Sequence, residues 1–144
     1  ATIIDGKLYV ANVGDSRLYI VNDDIRQVTK DHSLVAEMVR LGEVDVAAAR
    51  EHPDKNIITR AIGAKADVEA DFFEVELQEG DRIVICTDGL TNMVEDEVIR
   101  NIVSCDISIE EKTELLVKTA NQNGGRDNIT VMIIEPFMYE VKAC

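Results

Sequence analysis

Three short apolar runs in this chain each abut an aspartate in a tight polar turn, and this pattern restricts the possible folds most. Leu8–Val13 leads into Asp15, Ile83–Cys86 leads into Asp88, and Ile129–Ile134 leads away from Asp127. Such runs, bounded by turn residues and rich in branched side chains, read as buried strands. A carboxylate at the end of a buried strand is costly unless something pairs with it. Any one of these aspartates, taken alone, is a turn or cap residue. The three together imply one site built from oxygen ligands. The two histidines, His32 and His52, fit no metal spacing. A hard cation, Mg²⁺ or Mn²⁺ rather than zinc, is therefore the expected occupant.

The rest of the chain shows runs of strand signals and groups of helix signals. Asp5-Gly6 marks a hairpin between Ala1–Ile4 and Lys7–Val13. After a bend at Gly14–Ser16, strands are predicted over Arg17–Val21 and Ile25–Val28, continuing an antiparallel meander. Leu34, Val35, Met38 and Leu41 share one helical face, with Gly42 as a stop. Val46–Glu51 reads as a short helix, Ile57–Ile62 as a short extended stretch, and Val68–Leu77 and Asp81–Cys86 as strands. Val94–Val103 is a predicted helix with acidic residues in its first turn, where they suit the helix dipole. Ser108-Ile-Glu-Glu111 is a capping box for a longer helix that Gly124-Gly125 terminates. Strands and helices grouped in this way indicate an α+β domain rather than a parallel α/β sheet.

The chain has 144 residues and a formal net charge of -13. The length suits a single core, and the acidity disfavours nucleic acid as a partner. Cys86, Cys105 and Cys144 form no paired or CxxC pattern. A reducing, cytoplasmic setting fits them better than a disulfide scaffold. No run of 18 apolar residues is present, so a membrane partner is not expected.

Five stretches, in order, resemble the metal-dependent serine/threonine protein phosphatases of type 2C in their compact bacterial form. They are Val10-Ala-Asn-Val-Gly-Asp-Ser-Arg17, Val28-Thr-Lys-Asp-His-Ser33, Ile58-Thr-Arg-Ala-Ile-Gly63, Asp81-Arg-Ile-Val-Ile-Cys-Thr-Asp-Gly-Leu90 and Gly125-Arg-Asp-Asn-Ile-Thr130. The resemblance implies an antiparallel β-sandwich flanked on both sides by helices, with metals between the sheets at one end. It implies that Asp88 and Asp127 ligate the second catalytic metal, and that Asp15 joins Asp88 in holding a third, weaker one. Gly89 and Asn128 take supporting roles, and Lys30–Arg60 resembles the family's flap segment. Two to three Mn²⁺ or Mg²⁺ ions are expected in a complete domain. The expected substrates are proteins phosphorylated on Ser or Thr, with a cognate Ser/Thr kinase as a further partner.

The resemblance also implies an upstream phosphate-binding arginine, an Asn-Glu-Asp stretch and an Asp-Gly-x-Gly-Gly motif, and none of these occurs here. The expectation is a C-terminal portion of the catalytic domain over residues 1–136, followed by a tail at 137–144 and lacking about 90 to 100 upstream residues. Such a portion is expected to be inactive alone and to self-associate through exposed strand edges. A non-catalytic phosphatase-like binding module is the alternative. A plain acidic interaction domain fits five ordered motifs poorly.

Overall fold

The computed structural model describes residues 1–136; the expected tail, with Cys144, lies outside the described residues. Two antiparallel sheets stack face to face. The smaller contains β1 (Thr2–Ile4), β2 (Lys7–Asn12) and β5 (Asp71–Glu76) in the order β1-β2-β5. The larger contains β3 (Arg17–Val21), β4 (Ile25–Gln27), β6 (Arg82–Cys86) and β7 (Val131–Ile134) in the order β4-β3-β6-β7. Five helices complete the described chain: α1 (Leu34–Arg40), α2 (Val46–Ala49), α3 (Asp88–Thr91), α4 (Asp96–Ser104) and α5 (Ile109–Gln122).

Side-chain alternation explains which strands are central. Leu8 and Val10 of β2 face Leu18 and Ile20 of β3 and Ile83 of β6 across the sandwich. The other faces of β3 and β6 present Tyr19, Val21, Val84 and Cys86 to Leu90 of α3, Ile99 and Val103 of α4, and Leu116 and Ala120 of α5. β3 and β6 are thus covered on both sides, which requires their near-continuous apolar runs. Each fully buried Leu or Ile contributes about 1.5–3 kcal/mol of apolar transfer free energy. β2 and β5 alternate instead, and the outward Phe72 of β5 is 79% exposed. Helical cover from α3, α4 and α5 lies on the four-stranded side.

Several sequence expectations change in detail. The predicted meander is divided: β2 pairs with β1 and β5, whereas β3 pairs with β4 and β6. The chain leaves one sheet for the other at Gly14–Ser16, so this bend is a crossing and not a hairpin. Ile57–Ile62 contributes a single bridge, Ile58 to Ser33, rather than a strand. The strand predicted at Val68 begins only at Asp71, where pairing with Asn12 starts. The helix predicted from Val94 begins at Asp96 with Glu95 as its N-cap, and Asp96 and Glu97 occupy its first turn. The capping box at Ser108 and Glu111 is present as expected.

Candidate metal centre

The register of the larger sheet brings the three aspartates to one end. Arg17 of β3 is paired with Cys86 of β6, and Cys86 with Val131 of β7. Asp15 precedes Arg17, Asp88 follows Cys86, and Asp127 precedes Val131, all on the same side of that row. Antiparallel pairing alone therefore gathers residues that lie far apart in sequence.

Local contacts then fix each one. Gly14, at φ 115°, makes a bend that a side chain would strain. Its N–H donates to His32 Nδ1 (3.1 Å), and the His32 N–H donates back to the Gly14 carbonyl (3.0 Å). The buried His32 thus clamps the loop that presents Asp15. His32 Nε2 lies 3.3 Å from Asp71 Oδ2 and 3.1 Å from Arg60 Nη1. Arg60 reaches the same carboxylate at 2.8 Å. These two contacts, Arg60 first, hold the Asp71 carboxyl below its ordinary range.

Asp88 opens α3, with Asp127 on the neighbouring strand end. Thr87 ties the two segments together. Its hydroxyl donates to the Asn128 carbonyl (3.1 Å) and accepts from the Thr130 N–H (3.0 Å), while its own N–H donates to the Thr130 carbonyl (3.1 Å). A Cβ on Gly89 would lie 2.2 Å from the Asn128 carbonyl oxygen, so only glycine permits this approach. The Asn128 N–H donates to Asp127 Oδ1 at 2.7 Å. Gly89 and the Asn128 carbonyl thus lie in close backbone approach beside the Asp127 loop.

The Asp88 carboxyl is raised above the ordinary range, first by burial and then by the charges of Asp15 and Asp127; the Gly89 N–H works in the other direction. Asn92 Nδ2 also approaches Asp88 Oδ2, at 3.3 Å. Among the described residues, none of the three aspartates forms an ion pair. Nor do three His, Cys, Asp or Glu groups form a metal-holding cluster among those residues. The aspartates share one field without forming a closed cage. Asp15 and Asp88 are half-buried and Asp127 is exposed; oxygen donors left without a cation suit a hard divalent ion.

A cleft of about 800 Å³ opens beside them, lined by Asp15 and Asp88 on the sheet side and by Val35, Val46, Arg50 and Lys55 on the other. Asp127 lies outside its lining. In the lining of the same cleft, Arg17 binds Asp31 (Nη2–Oδ2, 2.7 Å) and donates to the Tyr19 hydroxyl (2.9 Å), which donates to Asp96 (3.1 Å). Burial is the largest single influence and disfavours the Arg17 charge, but the hydrogen bonds and charges of Asp31 and Tyr19 together exceed it and raise the guanidinium further. His52 only accepts from the nearby Asp54 N–H. Sequence reading missed the His32 clamp and Asn92. The signal for Asn92 was its place four residues after Asp88, the spacing at which helical side chains meet.

A sequence profile described as Protein phosphatase 2C matches residues 1–129, and the chain belongs to that family. The serine/threonine phosphatase stp of Listeria innocua is 43% identical over 136 residues, covering 94% of this chain and 54% of its own length. The crystal structure of the serine/threonine phosphatase Stp1 from Staphylococcus aureus superposes with a TM-score of 0.88 at 36% identity, covering 91% of this chain and 52% of that one. The catalytic domain of the phosphatase PstP, solved in complex with 2 manganese ions, gives 0.81 at 31% identity over 91% of this chain and 54% of that one. The chain thus spans about half the length of the curated relatives it matches. Among the described residues no helix is long and apolar enough to cross a membrane.

Proposed function

We propose that this chain supplies part of the catalytic centre of a protein phosphatase that hydrolyses phosphoserine and phosphothreonine in proteins. The observation that supports it best is the placement of Asp15, Asp88 and Asp127 at one sheet end with no ion-pair partner among the described residues, Asp15 and Asp88 lining a cleft. Asp88 and Asp127 would hold one Mn²⁺ or Mg²⁺, and Asp15 with Asp88 would hold a weaker one. When bound, such ions activate a water and neutralise phosphoryl charge. The remaining work falls to the protein. Thr87 and Gly89 keep Asp88 against the Asp127 loop, Asn92 orients the Asp88 carboxylate, and His32 sets the bend that presents Asp15. Lys30–Arg60 acts as a flap that walls the cleft and governs substrate access. The bound cations also reverse locally the field of a chain whose net charge is -13, so that an anionic phosphoprotein can approach. Its setting is the cytoplasm, with a Ser/Thr kinase as its counterpart.

The chain spans 54% of a relative's length, and the expected outcome for the isolated chain is background turnover of p-nitrophenyl phosphate. Its three-stranded sheet drives self-association through open edges. In a complete domain carrying these residues, Asp88→Ala and Asp127→Ala lower Mn²⁺-dependent phosphopeptide hydrolysis at least on the order of a hundredfold, and Asp15→Ala lowers it less. Unchanged turnover in the Asp88 variant would overturn the assignment.

A further inference from the structure

The segment between Ser33 and Ile57 leaves the sandwich and returns to almost the same point. Its ends are joined by the Ser33–Ile58 bridge, by Leu34 N–H to the Ile57 carbonyl (2.8 Å) and by Thr59 N–H to the His32 carbonyl (2.8 Å). Between these ends little apolar burial holds it: α1 buries Val35, and α2 buries nothing. The side-chain hydrogen bonds from residues 35–56 to the rest of the described chain converge on one place, α3 and the turn that follows it. Arg50 Nη2 donates to the Thr91 carbonyl (3.0 Å) and the Val94 carbonyl (3.3 Å), and Asn92 Nδ2 lies 3.5 Å from Asn56 Oδ1.

These targets have a physical reason. Thr91 ends α3, where carbonyls lack partners within the helix, and Val94 lies in the turn before α4; both residues are buried, so their carbonyls need donors from elsewhere. A guanidinium supplies a charge-assisted pair to groups that are already electronegative. Lys55 Nζ in turn donates to the Arg50 carbonyl (2.9 Å), bracing the clasp from within the segment. α3 is four residues long and begins with Asp88, so whatever fixes one end fixes the other. Asn92 touches both sides: its amide contacts Asp88 Oδ2 at 3.3 Å and faces Asn56.

We propose that Arg50 is a positioning residue that couples this segment to the Asp88 helix. Cation binding at Asp88 and the ordering of residues 42–56 are then reciprocally linked through α3. The proposal rests on the cation reading of Asp88. Linkage requires that whatever factor Mn²⁺ contributes to ordering the segment, an ordered segment returns to Mn²⁺ affinity.

The test is amide hydrogen exchange of the 144-residue chain with and without Mn²⁺, together with Mn²⁺ affinity by calorimetry, for the unmodified chain, Arg50→Gln, Arg50→Lys and Glu37→Gln. In the unmodified chain Mn²⁺ is expected to slow exchange across residues 42–56. Arg50→Gln removes that response, weakens Mn²⁺ binding by roughly tenfold, and speeds exchange in α3 even without metal. Arg50→Lys restores part of each effect, because one donor survives. Glu37→Gln, which breaks only the exposed pair with Arg40 in the same segment, leaves all three readouts unchanged. Unaltered α3 exchange in metal-free Arg50→Gln overturns the clasp. Equal Mn²⁺ affinity and an equal segment response in that variant overturn the coupling. No Mn²⁺ binding by the unmodified chain overturns the cation reading instead, and the metal-free exchange still decides the clasp.

Discussion

The chain treats its charges in opposite ways at two places. Beside β7, Glu135 accepts from the buried Lys112 at 2.9 Å and from Arg82 at 3.1 Å, joining α5 and β6 around one carboxylate. Burial acts to raise the Glu135 carboxyl, but the two cations prevail and hold it below its ordinary range. At the end of the same sheet, Asp88 is also partly buried, yet its charged neighbours are Asp15 and Asp127, and its carboxyl is raised. One cluster is complete within the protein. The other lacks positive charge. Paired buried ions hold elements together, whereas unpaired ones store repulsion that a ligand can relieve.

That contrast gives graded expectations. The largest concerns the closed cluster. Glu135→Ala leaves Lys112, only 3% exposed, without its carboxylate and is expected to destabilise the chain by about 3–5 kcal/mol in urea unfolding. A loss below about 1 kcal/mol would mean that water already reaches Lys112. Gly89→Ala comes next. Its Cβ meets the Asn128 carbonyl at 2.2 Å, so the Asp127 loop must move, at about 1–3 kcal/mol and with weaker Mn²⁺ binding. An unfolding midpoint unchanged from the parent would show that the two segments are not in contact in solution.

The smallest effect has the opposite sign. Asp88→Asn is expected to stabilise the metal-free chain by less than about 1 kcal/mol, because solvent screens part of the repulsion. The pH dependence follows from the raised carboxyl. The folded state holds the Asp88 proton more tightly than the unfolded state does. Its stabilising contribution is therefore present below the unfolded carboxylate pKa and is lost as pH rises through the folded value. Glu135 behaves inversely: its contribution is present above the unfolded pKa and lost as pH falls through its lowered folded value. Melting curves of Asp88→Asn and its parent between pH 4 and 7 should thus diverge towards neutrality. Parallel curves would remove the repulsion.

How much of this was legible in the sequence depends on the range of the interaction. The capping box at Ser108, the Asp5-Gly6 hairpin and the central strands were legible because caps, turns and apolar runs act over a few residues. The placement of the three aspartates at strand ends was legible from the apolar runs beside them, and the register brings those ends to one side of the larger sheet. The sheet change at Gly14–Ser16 was not, since a bend that crosses between sheets and one that closes a hairpin use the same residues. Nor was the Arg50 clasp. It joins positions 41 and 44 residues apart through backbone carbonyls, which carry no side-chain signature. The one-turn helix at Asp88–Thr91 is too short to show a period.

Calorimetric titration of Mn²⁺ into the 144-residue chain, compared with Asp88→Asn, Asp127→Asn and Asp23→Asn, tests the cation site most directly. Asp23 lies in the turn after β3, at the opposite end of that strand from Asp15. The expected result is weak binding by the parent and by Asp23→Asn, with binding lost on substitution of Asp88 and strongly reduced on substitution of Asp127. Equal Mn²⁺ affinity in all four proteins would contradict a cation site at this end of the sheet.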